Sequence, residues 1–181
     1  FTKQLLWEGF EKTWPSNGPG NKGSAFEPMG AIGIPAINTA ILLTSGVTLT
    51  IAHHALKAGK RGVLNMFLAL TFILGFIFIG LQAEEYIVAY KDLNLTLETG
   101  VYGATFFMLT GFHGLHVTIG AIMLTVIMLR CVRGHFTPQQ HFGFEAVAWY
   151  WHFVDVVWLG LFICVYLFLW GRGRVRVGRR H

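Results

Sequence analysis

The chain has 181 residues, 54% of them hydrophobic and only 13% charged, against roughly 25% charge in an average soluble domain. This balance argues against a water-soluble enzyme, and the net charge of +5 does not point to nucleic acid, because the basic residues sit in loops and one tail rather than along a continuous face. The 22 glycines and 15% aromatic residues suit a bilayer protein, where Gly is common inside helices and Trp and Tyr gather at the interfaces.

Residues 1–33 mix Trp7, Trp14, Pro15, Pro19 and Pro28 with Gly, Ser and Lys, show no sustained apolar period, and read as an extramembrane loop segment. They contain no basic start, apolar core and small-residue cleavage site of a secretory signal. The expectation is that an N-terminal piece was removed or belongs to another polypeptide. A four-helix membrane domain is expected over residues 34–170. Its first span, about 35–56, opens on Pro35 in the first turn and carries Asn38, Thr44, Ser45, Gly46 and Thr50, small and hydroxyl residues that suit close helix packing. The second, about 63–83, is the most apolar and then meets Glu84, Glu85 and Tyr86. The third, about 101–129, and the fourth, about 144–170, complete an all-α integral membrane bundle of four transmembrane helices. Residues 171–181 form a basic tail. Cys131 and Cys164 make neither a CxxC pair nor a disulfide framework.

Ionisable groups inside a bilayer cost about 2.5 to 3.5 kcal/mol each on insertion scales, so each calls for a partner, a water-filled pocket or a task. On the third span, Thr110, His113, His116 or Val117, and Gly120 follow helical spacing and should face protein. The two histidines read either as metal or haem ligands or, more simply, as neutral imidazoles hydrogen-bonded across helices. On the fourth span Glu145, His152 and Asp155 fall within about 80° of one another at 100° per residue. A proton relay or metal site is one reading, but no Glu-x-x-His pair of the di-iron type occurs, and an interhelical polar network is the plainer one. Glu84 and Glu85 sit where carboxylates can reach interfacial water. The pairs His53 and His54, and His135 and His141, lie beside basic residues and are suited to lipid phosphates. No metal site and no catalytic residue is expected.

Lys57, Lys60 and Arg61 fill the first connection and Arg130 and Arg133 the third, which places loops 57–62 and 130–143 on the cytoplasmic or matrix side. The arginines between Arg172 and Arg180 oppose this assignment, since four spans put both termini on the other side.

The segments AHHALKAGKR (Ala52 to Arg61), VYGATFF (Val101 to Phe107), TGFHGLHVTIG (Thr110 to Gly120) and GHFTPQQHFGFEAVAWYWHFVDVVW (Gly134 to Trp158) together resemble subunit III of the haem-copper cytochrome c oxidases. The likeness runs from about Pro35 to Trp170 and implies helices four to seven of a seven-helix fold. It implies a subunit without haem or copper of its own, those groups lying in partner subunits. Such a subunit packs against catalytic subunit I and subunit II in the inner mitochondrial or bacterial plasma membrane. It would support assembly, stability, proton uptake and phospholipid binding during oxygen reduction and proton pumping. By similarity, Arg130 and His135 match positions near a phospholipid head group. Residues 1–33 resemble the loop between the third and fourth helices, so the expectation is a split subunit whose first three helices come from a separate chain. The family's carbodiimide-reactive glutamate, carried on the third helix, has no counterpart to assign here. Competing readings are subunit III of a quinol oxidase, a free-standing membrane haem or metal-binding oxidoreductase using the histidines and carboxylates above, and, weakened by the lack of an inverted repeat, a transporter.

Overall fold

A computed structural model describes residues 33–91 and 101–167. The N-terminal loop segment before residue 33, the second connection, the end of the fourth span and the basic tail lie outside the described residues. All regular structure among the described residues is helical: α1 (Ile34–Lys57), α2 (Arg61–Lys91), α3 (Val101–Val132) and α4 (Phe142–Leu161), the last running on into a π-helical turn over Phe162–Leu167. All four are long and apolar enough to cross a membrane. The protein is an integral membrane bundle, as its composition implies.

Two glycines set the helix ends. After α1, Gly59 takes a left-handed φ of 69°, its N–H donates to the Leu56 carbonyl at 3.0 Å, and the Lys60 N–H reaches back to Ala55 at 2.9 Å. After α3 the pattern repeats: Gly134 has φ 74°, its N–H bonds Cys131 at 3.0 Å, and the His135 N–H bonds the Arg130 carbonyl at 3.0 Å. Both are Schellman caps, which satisfy the last carbonyls of a helix and require a residue that accepts positive φ. They turn the chain sharply, so α1 and α2, and α3 and α4, run antiparallel. The Arg61 guanidinium lies against Gly134, and the rings of His53 and His141 are 5.8 Å apart. The two connections therefore share one end of the bundle.

Each helix packs on its chain neighbour, and α4 closes the ring against α1. The inward stripe of α2 is Leu64, Leu68, Thr71, Gly75, Phe78, Gln82, Glu85 and Ala89, an alternation of fours and threes that marks a helix–helix seam. This stripe carries α2 two turns past its expected end near residue 83. At 31 residues the helix is about 46 Å long, well over the roughly 30 Å of hydrocarbon, so it tilts or projects.

At the centre lies Trp151 of α4, fully buried. Its indole N–H donates to Ser45 Oγ on α1 at 2.9 Å, and its ring fills the space left by the missing side chains of Gly75 on α2 and Gly120 on α3. One side chain thus touches all three other helices. Polar bonds tie further pairs: Thr48 to Thr71 at 2.8 Å, Tyr86 to Thr110 at 2.7 Å, and the Trp158 indole to Thr39 at 3.0 Å. Without a hydrophobic drive between helices in lipid, small residues and such bonds are what hold a bundle. Large apolar side chains including Ile37, Val47, Met66, Phe112 and Val156 face outward, as lipid-facing or partner-facing surface requires.

Candidate functional site

The ionisable residues singled out in the sequence occupy separate places. His152 and Asp155, one turn apart on α4, approach to 3.8 Å between Nδ1 and Oδ2. The other imidazole nitrogen of His152 lies 3.3 Å from Thr50 Oγ1 on α1. Asp155 is 6% exposed and is seated against the α1 backbone at Gly46, where any Cβ would collide with its carboxylate. The pair is thus shared between α4 and α1. Glu145 is not part of it: seven and ten residues at 1.5 Å each put it about 10 and 15 Å down the helix axis.

His113 and His116 engage different α4 residues. His113 is buried, stacks on Trp158 with ring centroids 4.9 Å apart, and meets the edge of Phe78 at 6.0 Å. Its Nε2 has no hydrogen-bond partner. His116 is exposed and bonds the Tyr150 hydroxyl through Nδ1 at 2.9 Å, so the inward position of the α3 stripe belongs to Val117, which is fully buried. Both histidines border an apolar groove of about 400 Å³ between α3 and α4, flanked by Met108, Phe112, Phe153 and Val157.

Arg130 and His135 are joined by the Schellman cap, since the backbone bond that ends α3 links these two residues. Both side chains are exposed. The Arg130 guanidinium lies 4.7 Å over the Phe136 ring, an orientation that restrains it while leaving its donors available. Arg61, which the sequence marks only as a topology signal, comes in beside Gly134. Arg61, Arg130 and His135 therefore meet at one turn.

Glu84 and Glu85 part company. Glu84 is exposed, whereas Glu85 is 1% exposed, so of the two only Glu84 is placed for solvation or pairing with a subunit. Burial is stabilised by the Tyr166 hydroxyl, which donates to Glu85 Oε1 at 2.7 Å. Oε2, both polar atoms of Gln82 and both of Asn38 are buried without partners. An orphaned buried polar group costs about 1–3 kcal/mol, so this end of the bundle carries strain in its hydrogen bonding or takes up buried water. The signal that finds Glu85 is its place on the α2 stripe, seven residues after Phe78 and three after Gln82.

A family model described as "Cytochrome c oxidase subunit III" matches residues 9–172. The chain belongs to the cytochrome c oxidase subunit III family. Among its relatives, cytochrome c oxidase subunit 3 of Branchiostoma lanceolatum is 53% identical over 159 residues, covering 88% of this chain and 56% of that protein. The subunit 3 of Mus musculus is 49% identical over 158 residues, covering 87% of this chain and 56% of that protein; that of Gallus gallus is likewise 49% identical over 158 residues, with the same coverage. The chain spans about half the length of these curated relatives. The matched range contains the AHHALKAGKR, FHGLHV and WYWHFVDVVW segments, and the geometry gives the last two packing roles. WYWHFVDVVW supplies the central Trp151, the indole-to-Thr39 bond of Trp158 and the pair seated at Gly46; FHGLHV supplies His113, stacked on Trp158, and His116, bonded to Tyr150.

Proposed function

We propose that this chain is the four-helix part of a core subunit of cytochrome c oxidase, a proton-pumping terminal oxidase of aerobic respiration, and that it does no redox chemistry itself. The observation that carries the reading is near 50% identity to cytochrome c oxidase subunit 3 over almost nine-tenths of the chain. Haem and copper would sit in the partner subunits I and II. In support, His116 is bonded to a phenol, His152 lies beside a hydroxyl and a carboxylate, and His113 stacks on an indole. Its contribution would be to assembly, stability and proton uptake, with the outward apolar faces and the groove between α3 and α4 meeting lipid or the catalytic subunit. The connections carrying Arg61 and Arg130 would face the matrix or cytoplasm.

Phospholipid binding is the finer part of the proposal. The head-group phosphate would be held by Arg130 and His135, with Arg61 completing the turn. Replacing Arg130 and His135 together with Ala is expected to lower the number of phospholipids retained by the purified complex in native mass spectra; unchanged lipid content would remove this role. For the whole proposal, native gels of membranes with and without the chain supply the test. Loss of the chain should shift or deplete the oxidase band, and an oxidase band of unaltered size and amount would contradict membership. The same purified complex shows whether the first three helices of the fold come from a separate polypeptide, because one chain carrying all seven would rule that expectation out.

A further inference from the structure

In the sequence His53 and His141 belong to two separate histidine pairs suited to lipid phosphates and Glu145 to the polar face of α4, but the fold brings them together at the end of the bundle that holds the two basic connections. His53 is one turn from the end of α1, His141 is the residue before α4, and Glu145 is four residues on, where its N–H bonds the His141 carbonyl at 3.1 Å. One ligand atom from each lies within 4.8 Å of the other two. His53 Nε2 and His141 Nδ1 are both buried and have no hydrogen-bond partner. Among the described residues this is the one such group of three His, Cys, Asp or Glu residues.

We propose that His53, His141 and Glu145 form a binding site for a divalent transition-metal cation of the zinc class, clamping the end of α1 to the start of α4. Two imidazoles and a carboxylate are a donor set that zinc accepts, with bonds near 2.0–2.2 Å and tetrahedral geometry, so the donor atoms need to draw in to roughly 3.4 Å apart. From at most 4.8 Å that is a side-chain adjustment. Imidazole donors select this class over magnesium and calcium, which take oxygen ligands. Lys57, with His54 in the same last turn of α1, opposes a cation electrostatically. Glu145 offsets one of the two charges of the ion, and bonds to the two imidazole lone pairs supply the rest of the attraction. Phe144 packs 5.6 Å from His53 and 6.3 Å from Phe136, and the Arg130 guanidinium comes within 4.0 Å of the Cβ position of Gly143 in the same turn. The fourth position is left to water.

The site is independent of the oxidase reading and is tested on the full-length chain purified in detergent, stripped with a chelator and titrated with Zn2+. The expected result is one zinc per chain, weakened about tenfold or more in each of His141→Asn and Glu145→Gln and unchanged in His116→Asn and Glu84→Gln. Absence of stoichiometric zinc in the wild type, or equal affinity in all four variants, overturns the proposal. A second measurement needs no variant: Cu2+ binds the same class of donors more tightly, and pulsed EPR of the Cu2+-loaded wild type is expected to show two coupled imidazoles. A spectrum with none overturns the proposal equally.

Discussion

Gly75→Ala tests the packing at the centre of the bundle. A Cβ at this position would stand 2.8 Å from Cη2 and 3.2 Å from Cζ2 of Trp151, the shorter distance being roughly 0.7 Å below ordinary carbon contact. The indole cannot step aside. Its N–H is held by Ser45, and on α3 the Cβ position of Gly120 is already 2.9 Å from Cε3 of the same ring. Relief requires α2 to move away or the Ser45 bond to break. Overpacking of this kind costs about 1–3 kcal/mol, partly masked by the gain of about 1 kcal/mol in helix propensity on replacing Gly with Ala. Gly80→Ala on the same helix provides the reference, because nothing lies within 4 Å of its Cβ position. Unfolding of the purified protein in mixed micelles by increasing SDS fraction should therefore separate the two variants by about 1–3 kcal/mol, with Gly80→Ala at or above wild type. Adding Trp151→Leu should abolish the penalty of Gly75→Ala measured on that background. Equal stability of Gly75→Ala and Gly80→Ala would refute the central role given to the indole.

Three further outcomes are expected. Gly134→Ala forces an L side chain into the left-handed region, at about 1–2 kcal/mol, and drives its Cβ into Arg61, so it should destabilise the protein and lower phospholipid retention together; a stable variant with full lipid content would break that link. Tyr166→Phe strands Glu85 without its donor and should cost about 1–3 kcal/mol in the same SDS titration, while the double change with Glu85→Leu should recover part of the loss, and a double variant weaker than Tyr166→Phe alone would contradict the pairing. Asp155→Leu should reduce the amount of assembled oxidase far more than the electron-transfer rate per assembled complex. Normal assembly with lost oxygen chemistry would place Asp155 in the reaction instead.

The four spans are legible because a run of apolar residues longer than the bilayer needs has few other solutions. Helix ends are legible where a glycine makes a cap, as at Gly59 and Gly134. Hydropathy fails at the end of α2, where Gln82 and Glu85 look like the start of a loop although they continue the three-and-four spacing that begins at Leu64. The same spacing places Glu85 on the buried stripe. Angular reasoning on α4 groups Glu145 with His152 and Asp155 correctly by direction, yet direction carries no axial coordinate, and the rise along the helix separates them. Glu145 finds its neighbours in His53 and His141, which chain position alone cannot bring together. Trp151 carries no charge to attract notice, and its importance appears only when Gly75 and Gly120 are seen on either side. The π-helical turn that contains Tyr166 has no sequence signal that we can name.

The most direct test of the account is affinity purification of this chain, through a terminal tag, from its own membrane in mild detergent, followed by an optical spectrum and identification of every polypeptide present. The account predicts haem absorbance and cytochrome c-dependent oxygen uptake in the eluate, with the catalytic subunit in equal amount. Recovery of the intact chain from a membrane with active oxidase, but without haem or catalytic subunit, would contradict it.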